Sequence, residues 1–342
     1  MKNVYQNILQ AIGHTPIIQL QRIGNELKHH FYVKLESMNP GASVKDRLAL
    51  QIVEDAEKSG TLVKGGTIIE TTSGNTGMGL AMIAAVKGYK CIFTVPDKVS
   101  SEKINALRAL GAEVVVCPTA VEPEDPQSYY SVAKKLAAEI PNSFFANQYH
   151  NPSNPKAHYR MTGPEIYEQM GNELDVLVAG IGTGGTLCGS AKFIREKNPK
   201  LQTLAVDPVG SVFFEYFQTG TMPKIITTYK VEGVGEDFMP TTIDFELIDD
   251  VVQVGDQEAF DMTRRLAREE GIFVGGSCGM ALAGAINKAK DMEGAKNFLI
   301  ILPDSGSRYV SKVFNDDWMK ENGFTISSSS QNNQPLEDQI RF

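Results

Sequence analysis

Apolar residues recur in short, nearly unbroken runs along this chain, and each run hands over to a longer stretch with helical spacing. Runs at 67–69, 91–95, 114–117 and 143–146 predict strands, and stretches at 75–87, 100–110 and 128–139 predict helices between them. Gly88 and Gly111 follow two of these helices, where a left-handed cap is expected. A second series of strands is predicted at 175–179, 203–206, 251–254 and 298–302, again with helices between. Strands without polar alternation are buried on both faces, and strands joined by helices run parallel. The fold class expected is α/β, with two parallel-sheet domains, helices on both faces of each and a cleft between them.

Composition narrows the functional classes. A chain of 342 residues is long for one core, which agrees with two domains. Hydrophobic content of 42% with 22% charged residues is ordinary globular composition. A net charge of −8 argues against nucleic acid or anionic membrane as a partner. No apolar run approaches about 18 residues, and the N-terminus lacks the apolar core of a signal peptide, so a cytoplasmic chain is expected. Cys91, Cys117, Cys188 and Cys278 are scattered, and the five histidines lack ligand spacing. Neither a disulfide nor a metal site is expected.

Chemistry gathers in four polar turns. Lys45 lies in Asn39-Pro-Gly-Ala-Ser-Val-Lys45-Asp-Arg47, where a turn feeds a helix whose apolar face is Leu48, Ile52, Val53 and Ala56. A lysine in the first turn opposes the helix dipole, which favours a neutral, nucleophilic amine. Thr71-Thr72-Ser73-Gly74-Asn75-Thr76-Gly77 forms a second turn between a strand and a helix. The third, Gly180-Ile-Gly182-Thr183-Gly184-Gly185-Thr186, lets backbone N–H groups converge on a phosphate at a helix start. It also satisfies the dinucleotide fingerprint, with Asp207 ending the next strand, so a nicotinamide-dependent oxidoreductase is a rival reading. Two threonine hydroxyls beside the glycines suit a monophosphate instead. Gly275-Gly-Ser277-Cys-Gly279 follows a strand expected at 272–274, with Ser277 either capping the next helix or facing a cofactor ring. Leu302-Pro303-Asp304-Ser305 closes the last strand, and ligands in open α/β sheets gather beyond such carboxyl ends.

From about Ile12 to Phe324 the sequence resembles the fold-type II pyridoxal-phosphate β-replacement enzymes, the cysteine synthase and cystathionine β-synthase superfamily. The resemblance implies a tryptophan synthase β-like fold with pyridoxal 5'-phosphate in the interdomain cleft. The larger, cofactor-binding domain would combine 1–45 with 150–325, the smaller, mobile, substrate-binding domain would be 46–149, and 326–342 would be a disordered tail. It also implies that Lys45 carries the cofactor as a Schiff base and that Asn75 meets its ring oxygen. Gly182, Thr183, Gly184, Gly185 and Thr186 would cradle the phosphate. Ser277 would face the pyridine nitrogen, with Pro303 and Asp304 beside the cofactor. Thr72, Ser73, Gly74, Thr76, Gln148, Tyr149 and Gly235 would meet the amino-acid substrate. A serine, in place of a carboxylate, at the ring nitrogen would favour β-elimination to an aminoacrylate over transamination.

Several positions lean toward the cystathionine-forming branch: Tyr149 after Gln148, the segment Tyr229-Lys-Val-Glu232-Gly-Val-Gly235-Glu236-Asp237-Phe238, and Asp316-Asp-Trp-Met319. Serine and homocysteine are the substrates this implies; O-acetylserine or O-phosphoserine with sulfide, giving cysteine, is the alternative. Tyr149 and the acidic loop would shape the thiol pocket to receive the ammonium group of homocysteine. No cysteine precedes Cys91, so haem is not expected, and the paired regulatory repeats of some members are not seen. The resemblance further implies a homodimer.

Overall fold

The structure, a computed structural model, describes residues 4–326 except 73, 98, 119, 120 and 122–124. Its strands are β1 (Ile17–Gln19), β2 (His30–Leu35), β3 (Thr67–Thr71), β4 (Lys90–Pro96), β5 (Glu113–Cys117), β6 (Ser143–Phe145), β7 (Val176–Gly180), β8 (Gln202–Pro208), β9 (Asp250–Val254) and β10 (Asn297–Leu302). The helices are α1 (Lys45–Ser59), α2 (Asn75–Lys87), α3 (Ser101–Ala109), α4 (Tyr129–Glu139), α5 (Ser153–Ala157), α6 (Gly163–Met170), α7 (Gly185–Arg195), α8 (Phe213–Thr219), α9 (Asp256–Glu269), α10 (Gly276–Ala289) and α11 (Asp316–Glu321).

Two sheets result, one of six strands in the order β1-β2-β10-β7-β8-β9, the other of four in the order β5-β4-β3-β6. Both strand series fall where the apolar runs predict them, and α2 spans the predicted residues. Ser100 and Ser128, inside the predicted helices, are their N-caps, accepting from the N–H groups of Lys103 and Ser131. Gly88 and Gly111 both take positive φ, 80° and 88°, as the left-handed cap requires.

Three features differ from expectation. The strands β1 and β2 were not predicted, and β1 runs antiparallel on an otherwise parallel sheet. Lys34 interrupts the apolar run of β2 yet is fully buried, because it pairs with Glu165 at 2.8 Å and donates to the Thr15 carbonyl at 2.9 Å. The strand expected at 272–274 is a single antiparallel bridge, Val274 to Ser305. Of the expected tail, residues 327–342 lie outside the described residues.

The packing follows from residue size. On the large sheet, a side-chain carbon at Gly279 would sit 2.3 Å from the Ala259 carbonyl, so α9 and α10 pack closely only with glycine there. Ile68, Leu80, Ile83 and Phe93 fill the core of the small sheet, and Leu9 and Ile12 from the N-terminal segment pack into that same core. Among the described residues no helix is long and apolar enough to cross a membrane, and no group of three or more potential metal ligands forms. All four cysteines are free and buried.

Candidate active site

The carboxyl ends of β3, β7 and β10 face a cavity of about 550 Å³ between the two sheets. That volume lies within the range of ordinary small-molecule sites. Lys45 reaches it from the first turn of α1. The turn before it is clamped to the turn after β10: Val44 N–H donates to the Pro303 carbonyl at 2.8 Å and Ser305 N–H to the Ala42 carbonyl at 3.2 Å. Burial lowers the proton affinity of the Lys45 amine, while Glu236 and Asp304 pull the other way. The depressed amine expected from the helix dipole is present, but desolvation is its principal cause.

Around the Thr72 turn, the hydroxyl of Thr72 accepts from the N–H groups of Gly74 and Gly77, each at 3.3 Å. Asn75 opens α2 and donates to Asp304 at 2.8 Å, and Tyr309 donates to the same carboxyl oxygen at 2.6 Å. The Asn75 side-chain oxygen stays buried without a partner. Thr76 donates to the Gln148 side chain at 2.7 Å. Beneath them lies fully buried Glu70, which accepts from the N–H of Thr71 at 2.8 Å and of Gln148 at 3.1 Å. Burial raises its carboxyl to about 7 despite those donors. Ser73 lies outside the described residues.

The glycine loop runs from β7 into α7. Gly184 takes φ +75° at the N-cap position, which only a residue free of side-chain strain holds readily. Asn154 braces this loop, donating to the Thr183 hydroxyl at 2.9 Å and to the Gln148 carbonyl at 3.0 Å. A side-chain carbon at Gly185 would lie 2.1 Å from the Asn154 oxygen, so Gly185 packs behind the loop and does not line the cavity. The Thr186 hydroxyl meets His158 Nε2 at 3.2 Å, and Thr162 meets its Nδ1 at 2.9 Å. His158 stands in a single π-helical turn, His158–Thr162, and is held neutral first by burial, then by the charges of Lys45 and Arg47. Asp207, the acid a dinucleotide would need for its ribose, is fully buried and accepts from Phe214 N–H at 3.0 Å, away from the cavity wall.

Ser277 is not a cap. Gly275 holds the N-cap position of α10, and Ser277, 3% exposed, lines the cavity. Opposite it, Gly235 takes φ +71° and donates to the Ile181 carbonyl at 2.7 Å. This presents Glu236 to the cavity, hydrogen-bonded to Tyr149. Burial raises Glu236 to about 7, with Asp237 adding to the shift and Tyr149 and Lys45 opposing it. Tyr149 in turn packs edge-on to Phe238 at 5.1 Å.

Of the predicted residues that are described, all but Gly185 line one cavity. Sequence reasoning missed Asn154 and His158 because each acts through a contact distant in the chain, and Tyr309, which acts on Asp304 five residues before it, because it lies outside the four polar turns. A buried histidine or asparagine carries no spacing signal of its own.

The residues fit pyridoxal phosphate on the structure's own terms. A desolvated lysine, a glycine-and-threonine loop at a helix start and an unpartnered buried oxygen on Asn75 converge on a cavity of sufficient size. Comparisons with known proteins agree. The chain is 47% identical over 323 residues to cystathionine beta-synthase from Oryctolagus cuniculus, covering 94% of this chain and 58% of that protein. It spans 57% to 67% of the length of the curated relatives it matches. A solved O-ureido-L-serine synthase superposes with a TM-score of 0.84 at 38% identity, covering 95% of this chain and 98% of that one. An O-acetylserine dependent cystathionine beta-synthase from Helicobacter pylori gives 0.81 at 38% identity, covering 90% and 98%. The family model for pyridoxal-phosphate dependent enzymes matches residues 8–304, a span that takes in Lys45, the Thr72 turn, the glycine loop and Ser277 and ends on Asp304; the chain belongs to that family.

Proposed function

We propose that this chain joins L-serine and L-homocysteine by β-replacement, giving cystathionine and water, with Lys45 as both the cofactor-binding lysine and the base that takes the α-proton. The observation that carries this reading is the buried, proton-poor Lys45 amine in one cavity with the Thr72 turn and Gln148. Pyridoxal phosphate, when bound, supplies a ring that takes up the electron pair left at the α-carbon. The protein's part is to hold and orient. In this reading Gly182, Thr183, Gly184 and Thr186 hold the phosphate, with Gly185 packed behind them, and Asn75, Pro303 and Asp304 flank the ring. The buried hydroxyl of Ser277 would leave the pyridine nitrogen neutral. Thr72, Gly74, Thr76 and Gln148 would bind the substrate carboxylate, while Tyr149 and Gly235 would border the thiol.

Identities of 43–47% to cystathionine beta-synthases support homocysteine as the thiol. The structural likeness to an O-acetylserine dependent member supports a second reading, in which O-acetylserine supplies the carbon skeleton and sulfide or a thiol adds to it. The two sheets support a larger unit of 1–45 with 150–325 and a smaller one of 46–149 closing on it, with the exception that Leu9 and Ile12 pack into the core of the smaller sheet. A cytoplasmic homodimer completes the reading.

The test is a product assay with cofactor-loaded protein, serine plus homocysteine in one reaction and O-acetylserine plus sulfide in another. Cystathionine at the higher kcat/KM in the first is the expected outcome; cysteine dominating in the second would assign the alternative. The wild type should be yellow and bleach with borohydride, and Lys45→Ala should be colourless and inactive. A coloured, borohydride-bleached Lys45→Ala would remove Lys45 from its role.

A further inference from the structure

Serine carries a poor leaving group, and its departure requires a proton at the β-oxygen. Among the described residues, four carboxyl groups line the cavity: Glu102, Glu232, Glu236 and Asp304. Three are poorly suited to supply that proton. Glu102 is exposed. Glu232 is paired with both Lys103 and Lys312. Asp304 holds Asn75 and Tyr309 on one oxygen.

Glu236 has no cation within ion-pair distance among the described residues. It faces Lys45 across the cavity and takes the hydroxyl of Tyr149, while its backbone is fixed by Ser211, whose hydroxyl accepts from Glu236 N–H at 3.0 Å. Its Oε1 lies 3.8 Å from where a side chain on Gly182 would begin, so the carboxyl stands over the glycine loop. The groups around it are Tyr149, Tyr129, Tyr130, Tyr229, Asp237 and Lys45. Burial and Asp237 favour its protonated form, and the Tyr149 hydrogen bond and Lys45 oppose it.

Resting on the serine reading above, we propose that Glu236 is the general acid that protonates the departing hydroxyl of serine and the base that receives the proton of the incoming thiol, with Tyr149 positioning it. Lys45 takes the α-proton, and the Cβ–O bond breaks with its electron pair leaving on oxygen. The Glu236 proton converts that oxygen to water. When sulfur bonds to the β-carbon, the thiol proton passes to the Glu236 carboxylate and Lys45 returns the α-proton. Both groups end as they began.

Acetate leaves without a proton, which supplies the test. Glu236→Gln is expected to lower kcat/KM for serine by about 100-fold or more, and to change kcat/KM for O-acetylserine, which covers only the steps up to the loss of acetate and precedes the thiol, by less than about 5-fold. The wild-type serine rate should fall above about pH 7, a limb that Glu236→Gln should lack. Infrared difference spectra of cofactor-loaded wild type against Glu236→Gln should show a protonated-carboxyl band that titrates near neutrality. Equal losses with both amino acids would overturn the proposal, as would a rise confined to the KM of homocysteine, which would make Glu236 a site for its ammonium group. Wild-type protein that uses O-acetylserine and not serine would instead remove the serine reading itself, and this inference with it.

Discussion

At Gly74 a side chain would meet nothing within 4 Å, because the missing carbon would point into the cavity. Gly74 has φ −127°, outside the left-handed region that favours glycine. Gly74→Val is therefore expected to leave the free energy of unfolding in urea within about 0.5 kcal/mol of wild type while abolishing turnover. Unfolding curves beside a kcat/KM measurement check this, and preserved activity would place the substrate carboxylate elsewhere. Chemistry at this scale was largely legible: the residue types of Lys45, Thr72, Asn75 and Ser277 announce it from the sequence. The reason for the depressed Lys45 amine was not legible, since desolvation depends on what folds over it.

Helix α1 carries Lys45 and is anchored two residues on by Arg47. That guanidinium is buried between Glu36, at 2.7 Å, and Glu165, at 2.8 Å, and Glu165 also binds Lys34 of β2. Two cations and two anions balance, and the network ties α1 to β2 and α6. Removing one partner leaves buried charge uncompensated, so Arg47→Met should cost about 3–5 kcal/mol. Adding Glu36→Gln to it should recover part of that loss in urea unfolding. If Arg47→Met unfolds like wild type, the network does not anchor α1. Helices and buried parallel strands were readable because their periodicities are local. The strand β2 was hidden because Lys34 breaks its pattern, and only the distant Glu165 makes a lysine tolerable there.

The molecule as a whole should respond to pH in two opposed ways. Glu165 falls from 4.5 to about 2: burial opposes the change, but the hydrogen bonds and charges of Arg47 and Lys34 prevail. Its contribution is present above about pH 4.5 and is lost as pH drops toward 2. Glu70 moves the other way, from 4.5 to about 7 through burial, so the folded state holds its proton more tightly and loses stability as pH rises across that window. Relative to Glu70→Gln, wild type should lose about 3 kcal/mol between pH 4.5 and 7. Urea titrations at several pH values check the slope, and parallel profiles would show that Glu70 does not titrate there.

By itself the sequence determined the α/β class, the strand and helix series and the four polar turns, since each depends on residues adjacent in the chain or one helical turn apart. Tertiary structure alone decided that Asp304 holds Asn75, that Asn154 and His158 brace the glycine loop, and that Glu236 meets Tyr149 in the cavity with no ion pair among the described residues while Glu232 is paired. Those facts rest on contacts between residues far apart in sequence. Burial and partner charge, which set what each group can do, exist only once the two sheets enclose the cleft.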